Sequence, residues 1–344
     1  MKATYKKYIL QFKRPSGTSR GVMTEKETYF LILESGGKRG IGECGLLRGL
    51  SIDDRPDYEE KLQWVCGNIH LGEAVLWEAM MAFPSIQFGI ETAFRSLEAA
   101  NPFVPFPSAF TDGTQHIPIN GLVWMGDANF MRTQIEQKLA EGFRCVKLKI
   151  GAIDFEAELD LLRSIRDRFD TKTIEIRVDA NGAFSATDAS EKIDRLSRFG
   201  IHSIEQPIKP NQIEAMAQLC TETPIPIALD EELIGMFAMS GKEKLLQKIQ
   251  PQYIILKPSL VGGFRGCAEW ISLAKKYGIG WWITSALESN IGLNAIAQWT
   301  FLQQNPMPQG LGTGALYTNN FDSPLTVSGG ELRYDKSLSW GFNF

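Results

Sequence analysis

The chain of 344 residues has few of the residues that mark a disulfide-stabilised or zinc-binding protein. Its five cysteines are scattered and never form a Cys-x-x-Cys pair, which argues against a disulfide framework and a zinc site. The three histidines lie far apart in the sequence and form no recognisable cluster. Chemistry in this chain therefore has to come from other side chains.

Long apolar runs and a strong excess of charge are also missing. No uninterrupted apolar run approaches the roughly 20 residues of a membrane-spanning helix. Residues 1–8 carry charge and lack the apolar core of a signal peptide, so we expect a cytoplasmic protein. A net charge of -4 gives no support for nucleic-acid binding. Neither nucleic acid nor a membrane is an expected partner, and a homo-oligomer is left open.

The first hundred residues have a mixed strand and helix pattern. Thr28–Glu34 predicts a strand that enters a hairpin, and Pro84–Ala99 opens with proline and continues with helical spacing. Residues 12–27 are rich in glycine, serine, threonine and basic residues, which indicates a mobile loop, either a plain surface loop or one that could close over a site. We predict an α+β capping domain over residues 1–110, completed by the C-terminal tail 317–344.

Residues 111–316 alternate between short apolar runs and amphipathic stretches. Such alternation predicts a parallel sheet, and eight strands are enough to close it into a barrel. The fold class is therefore α/β, a modified TIM barrel. The eight predicted strands are Ile117–Leu122, Cys145–Ile150, Thr173–Asp179, Ser203–Glu205, Ile225–Asp230, Tyr253–Lys257, Gly280–Ser285 and Gln309–Gly312.

Charged residues stand at the ends of five successive predicted strands. Steps of about 25–30 residues separate the strands, the length of one strand, one helix and two short loops. Since the carboxyl ends of barrel strands meet at one face, these side chains are expected to converge. They are Lys147, Lys149, Asp179, Glu205, Asp230 and Lys257.

The alternation of side chains along each strand places these charges inside the barrel. Val146 and Leu148 share one face of their strand, so Lys147 and Lys149 share the other. An isolated buried charge costs several kcal/mol unless it is compensated. Salt bridges at the barrel mouth would explain any one residue, but they explain the whole set poorly.

The set of three acids and three lysines fits proton abstraction next to a carboxylate. Carboxylates without cysteine or histidine are suited to Mg²⁺, with Mn²⁺ as the alternative. A divalent cation bound to a small-molecule carboxylate substrate would offset the charge that develops when the α-proton leaves. Lys147 and the cation would favour the neutral amine of Lys149, which suits it to act as a base.

Five short motifs occur along this chain in the order Lys-x-Lys, Asp-x-Asn, Glu-Gln-Pro, Asp-Glu and Lys-Pro. This ordered series resembles the enolase superfamily, in its muconate-lactonizing-enzyme subgroup. The resemblance covers essentially the whole chain. It implies a (β/α)7β barrel with a capping domain built from both chain ends. It also implies metal ligation by Asp179, Glu205 and Asp230. Lys149 would be the base, Lys257 the opposing lysine and Lys147 a supporting partner.

Three segments, 42–51, 285–292 and 310–320, resemble the o-succinylbenzoate synthase branch, whose members dehydrate a succinyl-hydroxy-cyclohexadiene carboxylate in menaquinone biosynthesis. Dipeptide epimerases of the subgroup usually carry Asp-x-Asp at the last strand, where this chain has Gly312-Thr313-Gly314. N-acylamino acid racemisation or dipeptide epimerisation is the alternative. Muconate cycloisomerisation and a non-catalytic binding barrel are the further alternatives.

Five further residues are candidate substrate contacts. Ser285 and Gly312 end the seventh and eighth predicted strands, and ordinary loop structure explains them equally well. Arg177 faces inward two residues before Asp179, where a supporting role is the alternative to a substrate contact. Asn181 would orient the metal site or simply form a turn. Arg20 belongs to the predicted loop at 12–27.

Overall fold

The computed structural model describes residues 1–18 and 21–343. The N-terminal part forms an antiparallel sheet with helices packed on it, and the sheet order is β1-β2-β3. Tyr29, Leu31 and Leu33 of the middle strand share an apolar cluster with Ile86 and Ile90. The elements are β1 (Lys2–Thr18), β2 (Gly21–Ser35), β3 (Lys38–Cys44), α1 (Tyr58–Gly67), α2 (Glu73–Ala79) and α3 (Pro84–Glu98), with a short 3₁₀ helix at Ile69–Leu71.

Residues 12–27, predicted as a loop, lie mostly in β1 and β2 instead. Gln11 pairs with Glu25 and, after a shift in register, Ser16 pairs with Met23. The Phe12 ring packs against the ring of Tyr317, with centroids 4.7 Å apart. Lys13 N donates to Leu316 O at 2.8 Å. Long-range pairing thus overrides the loop-like composition of this segment.

The second part is an alternating barrel whose parallel strands run in the order β11-β10-β9-β8-β7-β6-β5. The strands are β5 (Gly121–Val123), β6 (Cys145–Lys149), β7 (Glu175–Asp179), β8 (Ser203–Glu205), β9 (Ile227–Leu229), β10 (Tyr253–Leu256) and β11 (Gly280–Ile283). The helices are α4 (Ala128–Ala140), α5 (Phe155–Arg166), α6 (Ala189–Ser197), α7 (Ile213–Glu222), α8 (Met239–Ile249), α9 (Pro258–Val261), α10 (Gly263–Tyr277) and α11 (Asn290–Leu302).

The barrel closes through the segment predicted as its eighth strand, although that segment forms isolated bridges and no regular strand. Gln309 N donates to Pro118 O at 2.8 Å, and Gly310 N donates to Ile283 O at 2.8 Å. The two edges of the sheet are thereby joined, which gives seven strand–helix units and a closing segment. The predicted (β/α)7β barrel is confirmed.

The first predicted strand is divided between two sheets. Ile117–Pro118 (β4) pairs antiparallel with the tail, and only Gly121–Val123 joins the barrel. The tail hairpin consists of β12 (Leu325–Ser328) and β13 (Glu331–Tyr334). This hairpin pairs with β4, which precedes the first barrel strand, in a sheet separate from that of the barrel. The chain end does reach the capping domain, since Phe342 packs against Phe30 at 5.4 Å between ring centroids.

The alternation predicted for the barrel strands is confirmed by two separate apolar clusters. Ile227 and Leu229 face the helices within the main core, whereas Ala228 faces the axis with Ile255 and Trp282. No helix among the described residues is long and apolar enough to cross a membrane.

Candidate active site

The carboxyl ends of β6 to β10 bring the six charged residues together, as the sequence predicts. Parallel register pairs Lys149 with Asp179, and Asp179 with Glu205. The three carboxylates and the lysines Lys147 and Lys149 are buried. The lysine on the far side, Lys257, follows β10 directly and precedes Pro258, the first residue of α9.

Each ammonium group at this site lies against a carboxylate. Lys147 Nζ is 2.9 Å from Asp179 Oδ2 and also forms an ion pair with Glu205. Lys149 Nζ is 3.1 Å from the same Asp179 oxygen. On the other side, Lys257 pairs with Asp230, and its Nζ is 4.0 Å from Glu205 Oε1. Positive charge therefore flanks the acids from two directions.

Burial and mutual attraction set the ionisation of these groups. Burial alone would lower the pKa of Lys147, but Asp179 and Glu205 outweigh burial and raise it. Burial alone would raise the pKa of Asp179, but Lys147 and Lys149 outweigh burial and lower it. Burial, together with Asp179, raises the pKa of Glu205 to about 8 despite its lysine neighbours. One acid in this site is thus undercompensated by the protein itself.

The donor chemistry of the three acids fits a hard divalent cation. Both carboxylate oxygens of Glu205 are buried, and the cations beside them are the ammonium groups of Lys147 and, at 4.0 Å, Lys257. Among the described residues, no group of three or more histidine, cysteine, aspartate or glutamate side chains is gathered as an assembled metal centre. Instead, Lys147 and Lys257 form ion pairs with the acids that would hold a cation. Carboxylates from three neighbouring strands supply the oxygen ligands that Mg²⁺ and Mn²⁺ prefer.

Asn181 links the proposed base to the carboxylates. It adopts a left-handed backbone conformation, with φ 45°, immediately beyond β7. Its backbone N–H donates to Asp179 Oδ1 at 3.0 Å, and its Oδ1 accepts from Lys149 Nζ at 2.6 Å. Its Nδ2 donates to Glu231 at 3.1 Å. Asn181 therefore orients both Asp179 and Lys149, in addition to lining the cavity.

A cavity of about 420 Å³ opens above these charges, between the barrel and the capping domain. Ser285 and Gly312, both predicted as substrate contacts, line it. The Ser285 hydroxyl forms a hydrogen bond of 2.6 Å with that of Thr313. The capping domain contributes mostly small and apolar residues to the cavity wall, namely Gly21, Val22, Met23, Leu47, Gly49 and Leu50, together with Arg48.

Arg177, a predicted substrate contact, is not among the described residues that line this cavity. Arg177 faces the barrel axis but lies deeper than Asp179, where its Nε donates to Glu175 at 2.7 Å and its Nη1 to Pro308 O at 2.9 Å. Its guanidinium also stacks on Trp282, 4.2 Å from the ring centroid. These contacts inside the barrel favour the supporting role for Arg177 over a substrate contact. Arg20 lies outside the described residues.

Sequence reasoning missed the contribution of the first barrel strand. Asn120, Leu122 and Trp124 alternate along this segment, and all three line the cavity. The period of two was present in the predicted strand, but no charge marked it. Arg48 was missed for a different reason, since only the pairing of the capping domain brings it to the cavity wall.

Comparisons with known proteins agree with this geometry. A sequence model of the enolase C-terminal domain-like family matches residues 131–341. The o-succinylbenzoate synthase of Desulfotalea psychrophila is 48% identical, and the match covers 96% of this chain and 98% of that protein. A crystal structure of MenC from the same organism superposes with a TM-score of 0.86 at 45% identity, over 97% of this chain and 99% of that one.

A more distant structure shares the fold alone. The dipeptide epimerase from Enterococcus faecalis, complexed with Mg and the dipeptide L-Leu-L-Tyr, superposes with a TM-score of 0.83 at 19% identity. The superposition covers 99% of this chain and 98% of the epimerase.

Proposed function

The chain belongs to the enolase C-terminal domain-like family, and we propose that it is an o-succinylbenzoate synthase. Such an enzyme dehydrates 2-succinyl-6-hydroxy-2,4-cyclohexadiene-1-carboxylate to 2-succinylbenzoate in menaquinone biosynthesis. The observation that carries the proposal is the placement of Lys149 and Lys257 on opposite sides of three buried carboxylates. The 48% identity to a synthase along nearly the whole chain supports the choice of reaction.

In the proposed reaction, Lys149 removes the proton next to the substrate carboxylate. Its Nζ is fixed by Asp179 at 3.1 Å and by Asn181 at 2.6 Å, so the amine is held by two acceptors. The resulting enediolate carries additional negative charge, which the Lys257 ammonium stabilises from the other side. The C–O bond to the hydroxyl group then breaks, Lys149 returns its proton to the departing hydroxyl, and water leaves as the ring becomes aromatic.

Asp179, Glu205 and Asp230 would hold Mg²⁺, with Mn²⁺ as the alternative. When bound, the cation supplies Lewis-acid stabilisation of the negative charge on the substrate carboxylate. Glu205 supports this role, because burial and Asp179 raise its pKa despite its lysine neighbours, and a cation would supply further positive charge. Lys147, paired with Asp179 and Glu205, positions these two acids.

The closing segment favours the synthase over an epimerase. Gly312-Thr313-Gly314 offers no carboxylate to hold an ammonium group, and Gly312 lines the cavity. A substrate that carries a second acid in place of an amine suits a wall without negative charge. N-acylamino acid racemisation needs the same two lysines and no ammonium site, so it is the competing activity on this scaffold.

A direct comparison of turnover tests the proposal. The purified protein with Mg²⁺ is given the cyclohexadiene carboxylate, N-succinylphenylalanine or a dipeptide, and kcat/KM is measured by product formation or by α-deuterium exchange. We expect dehydration to exceed both exchange reactions by at least about a hundredfold. Efficient exchange without dehydration would assign the protein to the racemases or epimerases.

A further inference from the structure

The first barrel strand carries a polar group that the proposed mechanism does not use. Asn120 faces the cavity in the same alternation as Leu122 and Trp124. The residue is only 5% exposed, so its side chain is enclosed by the cavity wall. Its backbone N–H donates to Gln309 O at 3.0 Å, which fixes it against the closing segment of the barrel.

The side-chain amide of Asn120 is uncommitted. It forms no hydrogen bond with another residue of the described part of the chain. Ser285 and Thr313, which line the same cavity, satisfy each other at 2.6 Å. Because Asn120 lines the cavity and its amide has two donors and an acceptor, the amide is available to bond with whatever occupies the cavity.

Asn120 lies on the far side of the lysine strand β6 from the three acids. The three acids come from β7, β8 and the residue after β9, whereas Asn120 precedes β5 and borders the closing segment. Around the barrel, Asn120 lies across from Asp230 and two strands from Asp179. Gly312 of the closing segment also lines the cavity, and a Cβ there would meet no atom closer than 3.4 Å, so this side has room for a second arm of the substrate.

A substrate with two acidic groups would span this cavity from one side to the other. The substrate carboxylate next to the reacting carbon would bind beside the lysines and the three acids. A second carboxylate, on a flexible acyl arm, then points to the wall that holds Asn120. An amide N–H is a suitable donor for it, because hydrogen bonds to charged acceptors are stronger than those between neutral groups.

We infer that Asn120 is a specificity-determining residue whose Nδ2 donates a hydrogen bond to the distal carboxylate of the substrate's acyl arm. The inference rests on the proposed function, which supplies a substrate with such an arm. Asn120 on the first strand would thus recognise the distal carboxylate of the substrate, whereas the lysines act next to the other carboxylate.

Binding of two matched ligands tests the inference without relying on turnover. 2-Succinylbenzoate carries the distal carboxylate, and 2-butyrylbenzoate has a methyl group in its place. Calorimetric Kd values with saturating Mg²⁺ would be compared for the wild type, Asn120→Leu and Asn120→Asp. Asn129→Asp is the matched control, since Asn129 is exposed on α4, and it should change neither Kd.

We expect Asn120→Leu to weaken 2-succinylbenzoate binding by about tenfold, through loss of a charge-assisted hydrogen bond. Asn120→Asp should weaken it by about a hundredfold, because two carboxylates would face each other. Binding of 2-butyrylbenzoate should change by less than about threefold in both variants. A general folding defect would instead weaken both ligands equally.

Equal changes in Kd for the two ligands, or no change in Kd for 2-succinylbenzoate, would overturn the inference. The proposed dehydration is tested separately, by turnover. If the wild type does not dehydrate the cyclohexadiene carboxylate, the proposed function fails separately. N-Succinylphenylalanine and N-butyrylphenylalanine then form the ligand pair. Loss of the succinyl preference in the Asn120 variants would still support the role of Asn120, and an unchanged preference would reject it.

Discussion

Lys149 and Asp179 are direct neighbours in the parallel sheet, and Lys149 Nζ lies 3.1 Å from Asp179 Oδ2. The proposed base is thus positioned by a proposed metal ligand. The same aspartate pairs with Lys147 at 2.9 Å, so it connects both lysines of β6. Any change at Asp179 should therefore affect metal binding and the base together.

Removal of the metal should lower the stability of the protein and abolish turnover. A ligand that binds only the folded state at a hundred times its Kd contributes about 2.7 kcal/mol. Addition of Mg²⁺ to EDTA-treated protein should therefore raise Tm by several degrees. Glu205→Gln should remove most of this increase, whereas Glu222→Gln, at an exposed position of α7, should retain it. A full Mg²⁺ response in Glu205→Gln, measured by thermal unfolding, would exclude Glu205 as a ligand.

A negative charge at Gly312 should impair the reaction and leave the fold intact. A Cβ at this position meets only Ile119 Cδ1 at 3.4 Å and Asn120 O at 3.7 Å, so a side chain can be accommodated. Gly312→Asp should lower kcat/KM for the dicarboxylate substrate by about a hundredfold, because like charges would meet across the cavity. Gly312→Ala, the steric control, should lower it by less than about tenfold. Similar losses of kcat/KM in both variants would show that steric crowding at Gly312, and not charge, impairs the reaction.

Arg177 should contribute to stability and not to substrate binding. It connects β7 to Pro308 through a 2.9 Å hydrogen bond and stacks on Trp282. Replacement by methionine should lower the free energy of unfolding by about 2 kcal/mol or more, as expected for loss of a buried, hydrogen-bonded charge. Urea unfolding measures this, with Arg163→Met on the exposed face of α5 as the control. A large rise in KM with unchanged stability would restore Arg177 as a substrate contact.

Glu91 should make stability depend on pH. Its carboxylate, on α3, accepts from Arg265 N at 3.0 Å and from Phe264 N at the start of α10, and burial raises its pKa to about 8. A raised pKa in the folded state gives stability that is complete below the usual pKa of about 4.5 and lost as pH rises towards 8.

The free energy of unfolding should therefore fall between pH 5 and 8, by up to about 1.4 kcal/mol for each unit of the Glu91 pKa shift. Glu91→Gln should flatten this slope, and Glu98→Gln, exposed on the same helix, should not. Urea unfolding at pH 5, 6.5 and 8 is the measurement. An identical slope in Glu91→Gln would assign the pH dependence to other groups.

The charged barrel strands could be predicted because period-two alternation and regular spacing are local signals. Val146 and Leu148 fix the face of their strand, so the inward direction of Lys149 follows at once. The pairing of β1 with β2 over residues 12–27 was missed because it depends on distant contacts, such as Phe12 with Tyr317. Arg177 shows a further limit: alternation gives the face of a residue, but its depth in the barrel decides whether it reaches the cavity.

The proposed chemistry depends most directly on Lys149, and one measurement tests it. Formation of 2-succinylbenzoate from the cyclohexadiene carboxylate would be followed with Mg²⁺ for the wild type, Lys149→Ala and the exposed control Lys172→Ala. We expect rapid conversion by the wild type and the control, and a loss of about 10³-fold or more in kcat for Lys149→Ala with its fold retained. Absence of conversion by the wild type, or undiminished conversion by Lys149→Ala, would contradict the account.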